Sequence, residues 1–260
     1  MTVVKVCIRV VPIVLAAGLV PRASRSQGAF AYADSSGARL LALSAPSSPT
    51  SVVEALCRSG ARLPIRFVGH QSRSPGDNGR QRASNFDYEE GDVFEVARGS
   101  ARPDETCFLA PPPAAKVPRT PADSVCAAGD STRLSQAKAR RVVSCRRIVT
   151  VDDLTHVLAV EFERRADSAL ASLVLTDRDQ MSFLDFPAAR GPEGDTWRVG
   201  DGGTFDPSGF GVLFVVNGPA ERAIAVAWAG EEGESLVFAA TGPARGAFEP
   251  LVRDYRYWVP

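Results

Sequence analysis

Apolar and polar positions alternate with a period of two along most of the chain beyond residue 140, the spacing of strands whose two faces differ. The segment "HVLAVEFERR" sets Leu158, Val160 and Phe162 against Ala159 and Glu161, and "RAIAVAWAG" sets Ile224, Val226 and Trp228 against alanines. Because the alanine side of "RAIAVAWAG" is itself apolar, both faces of that strand are expected to be covered. "FGVLFVVN" is apolar on both faces and belongs at the centre of a sheet or between two layers. "VVSCRRIVTV", "ALASLVLTD", "MSFLDF", "TWRV" and "ESLVFAATG" complete a series of eight strands, and links such as "NGPAER" and "AGEEGE" are short enough for hairpins. Such a series describes an antiparallel sandwich or barrel, and the aromatic tail "FEPLVRDYRYWVP" adds a last strand or clasp.

Upstream the punctuation is similar. "ARLLALSAP", "LPIRFVGH", "DVFEVARG" and "ETCFLAP" are short runs rich in apolar residues, separated by Gly, Pro, Asn and Asp. Between the first two, "SPTSVVEALCRSG" has Ser51 three residues before Glu54, a capping-box spacing, and Gly60 where a helix would end, so a short helix is expected there. The polar stretch "QSRSPGDNGRQRASNFDYEEG" predicts a long exposed loop. Prolines in "APPPAAKVPRTPADSVCAAGD" exclude a helix interior or a central strand, which predicts an extended connector over 111–129. "DSTRLSQAKARR" then predicts a helix capped by Asp130 or Ser131, with basic residues at its C-terminal end. The fold class is therefore all-β with one or two short helices. It divides into a β-rich part (34–110), the connector (111–129) and a sandwich or barrel (130–260).

The first 33 residues place Lys5 and Arg9 before an apolar run from Val10 to Val20, followed by small residues, the order of a secretory signal. Cleavage could follow Ala31 or Ala33, or Ala23 nearer the apolar run. The run is about half the roughly 20 residues of a membrane-spanning helix, so no membrane span is expected in the mature chain. The chain has 30 basic and 30 acidic residues, and four of the basic ones lie in this segment with no acid, which leaves residues 34–260 with 26 against 30. That balance has no basic field for a phosphate backbone, so nucleic acid is not an expected partner. Four cysteines follow the segment, and an even number in an exported chain favours two disulfides. Pairing Cys57 with Cys107 and Cys126 with Cys145 would staple each half once, although four cysteines allow three connectivities. The long intervals without C-x-x-C argue against a metal site.

Chemistry-bearing motifs are sparse. "EGDVFEV" (90–96) returns as "EGDTWRV" (193–199), each followed by glycines, a proline and an apolar strand, which predicts two hairpins. The second copy opens a glycine-rich loop whose Trp197, Asp201, Phe205 and Asp206 could present an aromatic platform and two carboxylates to a sugar or a calcium ion. It lacks the acid spacing of an EF-hand. Two histidines exist, His70 and His156. A triad could be drawn from His70 with Ser72 or Ser74, or from His156 beside Asp152 and Asp153, but no G-x-S-x-G elbow supports either. "SQAK" (135–138) matches S-x-x-K without its companion motifs. The pairs Glu89–Glu90 and Glu231–Glu232 fall in predicted turns and read as solvated charge. With no cofactor motif, the sequence favours a secreted or periplasmic, non-catalytic binding module for a small molecule, a saccharide or a protein. The alternatives are a polymer hydrolase using His70 and a barrel carrying a lipophilic ligand.

Overall fold

The structure is a computed structural model that describes residues 28–165, 168–178, 180–191, 194–197, 204–219, 221–241 and 246–259. Six strands, β1 (Ala29–Ala33), β2 (Arg39–Ala42), β3 (Glu54–Cys57), β4 (Arg62–Gln71), β5 (Gly91–Val96) and β6 (Thr106–Leu109), close into a barrel in the order β1-β2-β5-β4-β3-β6. Its interior is filled by side chains, among them Leu40, Leu63, Ile65, Phe94 and Leu109, with the disulfide Cys57–Cys107 built across β3 and β6. Small residues on β1, Ala29, Ala31 and Ala33, make room for the larger ones on a barrel of this size.

The rest of the chain forms two antiparallel sheets. One has six strands, in the order β12-β11-β10-β9-β8-β7: β7 (Thr120–Val125), β8 (Val142–Thr150), β9 (Thr155–Arg165), β10 (Ser168–Asp177), β11 (Gln180–Gly191) and β12 (Gly194–Thr196). The helix α1 (Ala128–Lys138) buries Leu134 against Leu158, Val160 and Phe162 on the outer face of this sheet, beside the disulfide Cys126–Cys145. The other sheet has four strands in sequence order: β13 (Phe210–Asn217), β14 (Arg222–Ala229), β15 (Gly233–Thr241) and β16 (Phe248–Tyr257). Its Ile224, Val226 and Trp228 meet the six-stranded sheet, while Ala223, Ala225 and Ala227 face Phe30, Leu56 and Phe108 on the barrel exterior. A bulge between Val212 and Phe214 turns Leu213, Phe214 and Val216 toward the barrel as well. The order of layers is helix, six-stranded sheet, four-stranded sheet, barrel. Both faces of "RAIAVAWAG" and "FGVLFVVN" are covered, as their composition requires.

The all-β class and the two disulfides stand as expected, but several local expectations do not. The segment 51–60 is not a helix. Pro49–Ser51 makes a single 3-10 turn, and Glu54–Cys57 is a strand, because Ala55 and Cys57 fill the barrel while Leu56 packs outward against the four-stranded sheet. Two-sided burial suits a strand, and it overrides the capping-box pattern; Glu54 pairs instead with Arg62 across the β3–β4 hairpin. Gly60 does adopt the left-handed conformation (φ +91°), but in that hairpin turn. The folded barrel begins before residue 34, since Ala29–Ala33 is a fully buried strand paired with β2 and β6. The connector is partly sheet: Thr120–Val125 is β7, at an edge where a proline is tolerated. The helix starts at Ala128 behind Ala127, so neither Asp130 nor Ser131 caps it.

The polar loop 72–90 is packed. Phe86 lies against Tyr32, Leu41 and Val93 on the barrel exterior, and buried Asn85 donates to Asp77 and to the Arg80 carbonyl. The two heptads differ in the parts that are described. The first is β5, paired with β2 and β4 and not with β6; of the second, Gly194–Thr196 forms an edge strand on β11, and β13 belongs to the other sheet. The first copy is therefore not the expected hairpin; of "TWRV", Thr196 ends β12, and Arg198 and Val199 lie outside the described residues.

Candidate functional site

Trp197 and Phe205 do not form a free platform. Trp197 is half-buried, donates its indole N–H to the Phe186 carbonyl at 3.1 Å, and packs on Phe205. Phe205 is buried among Phe210 and Trp228, which stack on each other at 4.7 Å. These rings close one part of the core between the two sheets. Asp206 accepts the Ser208 N–H (2.8 Å) and hydroxyl (2.7 Å), bonds that hold its carboxyl below the usual range and cap a 3-10 turn. Asp201 lies outside the described residues. Among the described residues no three His, Cys, Asp or Glu side chains converge as a metal ion would require.

His70 stands at the exposed end of β4. A bulge between Phe67 and Gly69 shifts the register so that His70 is directly opposite Asp92, whose carboxylate meets Nδ1 at 3.0 Å. Glu90 lies 3.6 Å from Nε2. The bond to Asp92 raises the His70 pKa above 6.5, with smaller support from Glu90. The ring nitrogen that a hydroxyl nucleophile would need is therefore faced by a second carboxylate. His156 has the opposite character: burial, then the nearby Arg147, lowers its pKa.

A different group of residues is brought together where the barrel meets the four-stranded sheet. They line a cavity of about 240 Å³: Arg58, Arg82, Asp104, Glu105, Thr106, Glu234, Arg256 and Trp258. The sheet supplies Glu234 and Arg256 as a direct cross-strand pair of β15 and β16, and Trp258 follows β16. From the barrel, the pairing of Cys57 with Cys107 sets Arg58 beside Thr106, so that the Arg58 N–H reaches the Thr106 carbonyl at 3.0 Å. Arg82 comes from the packed loop, and Asp104 from a turn in which it holds φ +64°, a left-handed conformation that Asp tolerates better than most residues.

Arg256 organises the cluster. Its side chain is 4% exposed, lies over the Tyr32 ring at 5.0 Å, and donates to the Gln81 carbonyl, the Asp104 carbonyl and carboxylate, and the Thr106 hydroxyl oxygen at 2.6–3.0 Å. Burial lowers its pKa, opposed by Asp104 and Glu234, yet a guanidinium stays charged. Glu234 is 1% exposed and accepts from the Thr106 hydroxyl and from Arg58 at 3.3 Å. Glu105 accepts the backbone N–H groups of Ser59 and Arg102. Asp104 also accepts from Ala83 N and pairs with Arg82 at 2.9 Å. Next to this group, burial and a hydrogen bond to Glu89 raise the pKa of Tyr32, which stays a phenol.

The carboxylates are thus engaged from within, while two arginines are not fully used. A guanidinium has five N–H donors. Arg58 spends one on Glu234, and Arg82 meets Asp104 through Nε. Neither histidine lines the cavity. None of these residues was singled out from the sequence. One signal was present: in "GESLVFAAT" Glu234 shares the parity of Leu236, Phe238 and Ala240, which face the barrel, so the strand period places a carboxylate on a buried face.

No family model, curated protein or solved structure matches the chain. Among the described residues no helix is long and apolar enough to cross a membrane.

Proposed function

We propose that the protein is an exported, non-catalytic binding module of the envelope or extracellular space that holds a small polar ligand between its barrel and its four-stranded sheet. The observation that supports this is the cavity around Arg256, where buried charges surround a hollow at a seam that is otherwise apolar. Burying ionic groups costs several kcal/mol per ion by general estimates, and a hydrophobic filling is often as stable, so their presence at a cavity favours recognition over simple cohesion. The hydrolase reading has less support, because Glu90 rather than a hydroxyl faces Nε2 of His70. The carrier reading has less support, because the barrel interior is filled by side chains and a disulfide.

Export is inferred from the signal-like first residues together with the two disulfides. Since β1 is buried from Ala29 onward, the productive cut is the one near Ala23. N-terminal sequencing of the exported chain should find its start between residues 24 and 28, and a start at residue 32 or 34 would remove barrel strand and refute the assignment. For binding, the test is a thermal-shift screen of small polar molecules of every charge class. A true ligand at 100 times its Kd adds about 2.7 kcal/mol, and the shift should vanish in Trp258→Ala. If no compound raises the melting temperature or moves the Trp258 indole resonance, the cavity is not a binding site.

A further inference from the structure

Resting on that reading, the structure assigns a ligand class to the cavity: we infer that it takes a single hydroxylated carboxylic acid of sugar-acid type. Three observations converge. First, the unspent donors are cationic: Arg58 and Arg82 both line the hollow, their side chains are 42% and 47% exposed, and most of their N–H groups make no hydrogen bond to the described protein. Planar guanidinium groups match a carboxylate in geometry and charge.

Second, Glu234 keeps acceptor capacity. An ionised carboxylate has about four lone-pair sites, and Glu234 receives two hydrogen bonds, from Thr106 and Arg58. Fixed acceptors beside cationic donors suit a molecule that carries hydroxyl groups as well as one acid. Third, Trp258 lines the same cavity; Arg256 lies over its ring at 5.8 Å, and the opposite face is the one on which the C–H side of a sugar ring would lie. The volume holds about one ring: about 240 Å³ is below the roughly 300–1,000 Å³ of sites for drug-sized molecules.

The test uses the intact, disulfide-bonded protein and isothermal titration with D-glucuronate, its neutral amide D-glucuronamide, glucosamine and inorganic phosphate. Glucuronate should bind, with the amide weaker by about tenfold or more, as the loss of a charge-assisted hydrogen bond requires. Arg58→Gln and Arg82→Gln should each weaken glucuronate by a similar factor. Arg66→Gln, which alters an exposed pair with Glu95 elsewhere on the barrel, should leave it unchanged. Should Arg58→Gln fail to fold, the amide comparison and the Trp258 indole shift in the unaltered protein still decide. Equal binding of the amide or of glucosamine overturns the assignment of an acid. Phosphate binding as tightly as glucuronate overturns the role of the ring. If none of the four binds but another compound in the screen does, this assignment fails and the binding-module reading stands; if nothing in the screen binds, both fail.

Discussion

The four-stranded sheet has two faces, and they are built differently. Toward the six-stranded sheet it presents Val212, Val215, Ile224, Val226, Trp228, Val237 and Ala239, and the seam is closed by large aromatic and branched side chains. Toward the barrel it presents four alanines with Leu213, Phe214, Val216, Leu236 and Phe238, and at one end it gives way to Glu234 and Arg256. Small residues let the barrel come close, with Phe108 lodged against Phe30, Phe214 and Phe238 at centroid distances of 4.9–5.4 Å. The first seam is apolar except at one end, where buried Arg222 donates to Ser182 and to the Leu175 carbonyl, whereas the second combines an aromatic anchor with a charged hollow. Cohesion and the proposed recognition are thus separated along one interface: the anchor holds the bodies together, and the cluster shapes a cavity whose charges add little net stability.

The largest expected effect tests the anchor. Phe108→Ala should cost about 3–5 kcal/mol in urea unfolding, and a loss below about 1 kcal/mol would show that the aromatic contact does not carry the seam. Next is the cluster. Arg256→Met leaves buried Glu234 with only Arg58 and Thr106, takes one partner from the partly exposed Asp104, and should cost about 3 kcal/mol. Adding Glu234→Leu should recover part of it, because the remaining surface is then apolar, while ligand binding stays lost. Full additivity of the two changes would contradict the coupling proposed for the pair.

A smaller effect tests the open end of the other seam. Asp206→Ala removes a turn cap and should cost about 1 kcal/mol without any change in ligand affinity, since the Trp197–Phe205 group belongs to the core. A loss of affinity there would return the glycine-rich loop to consideration. The smallest effects are those of pH. Two histidines make the NMR titration simple: His70 should titrate above 6.5 and His156 below it. Protonated His70 favours the fold below its unfolded pKa, and that contribution is lost as pH rises through the raised folded value. Neutral His156 works the other way, its contribution present above the unfolded pKa and lost as pH falls through the lowered folded value. In Asp92→Asn the His70 midpoint should fall back toward 6.5, and an unchanged midpoint would remove Asp92 as its cause.

By itself the sequence determined which segments are strands beyond residue 140 and which of them need cover on both sides, because side-chain alternation is a local property of an extended backbone. It also favoured the two disulfides now seen. Tertiary structure decided what local pattern could not. Residues 54–57 are a strand because Ala55, Leu56 and Cys57 are buried on two sides at once, a gain available only inside the assembled barrel. The hollow exists because residues from four distant stretches, Arg58, Arg82, Asp104 to Thr106, and Glu234 with Arg256 and Trp258, meet where two bodies dock. The hydrophobic drive that joins those bodies is non-directional and depends on total area buried. Periodicity can mark a face for burial, and only the packed whole chooses what that face will meet.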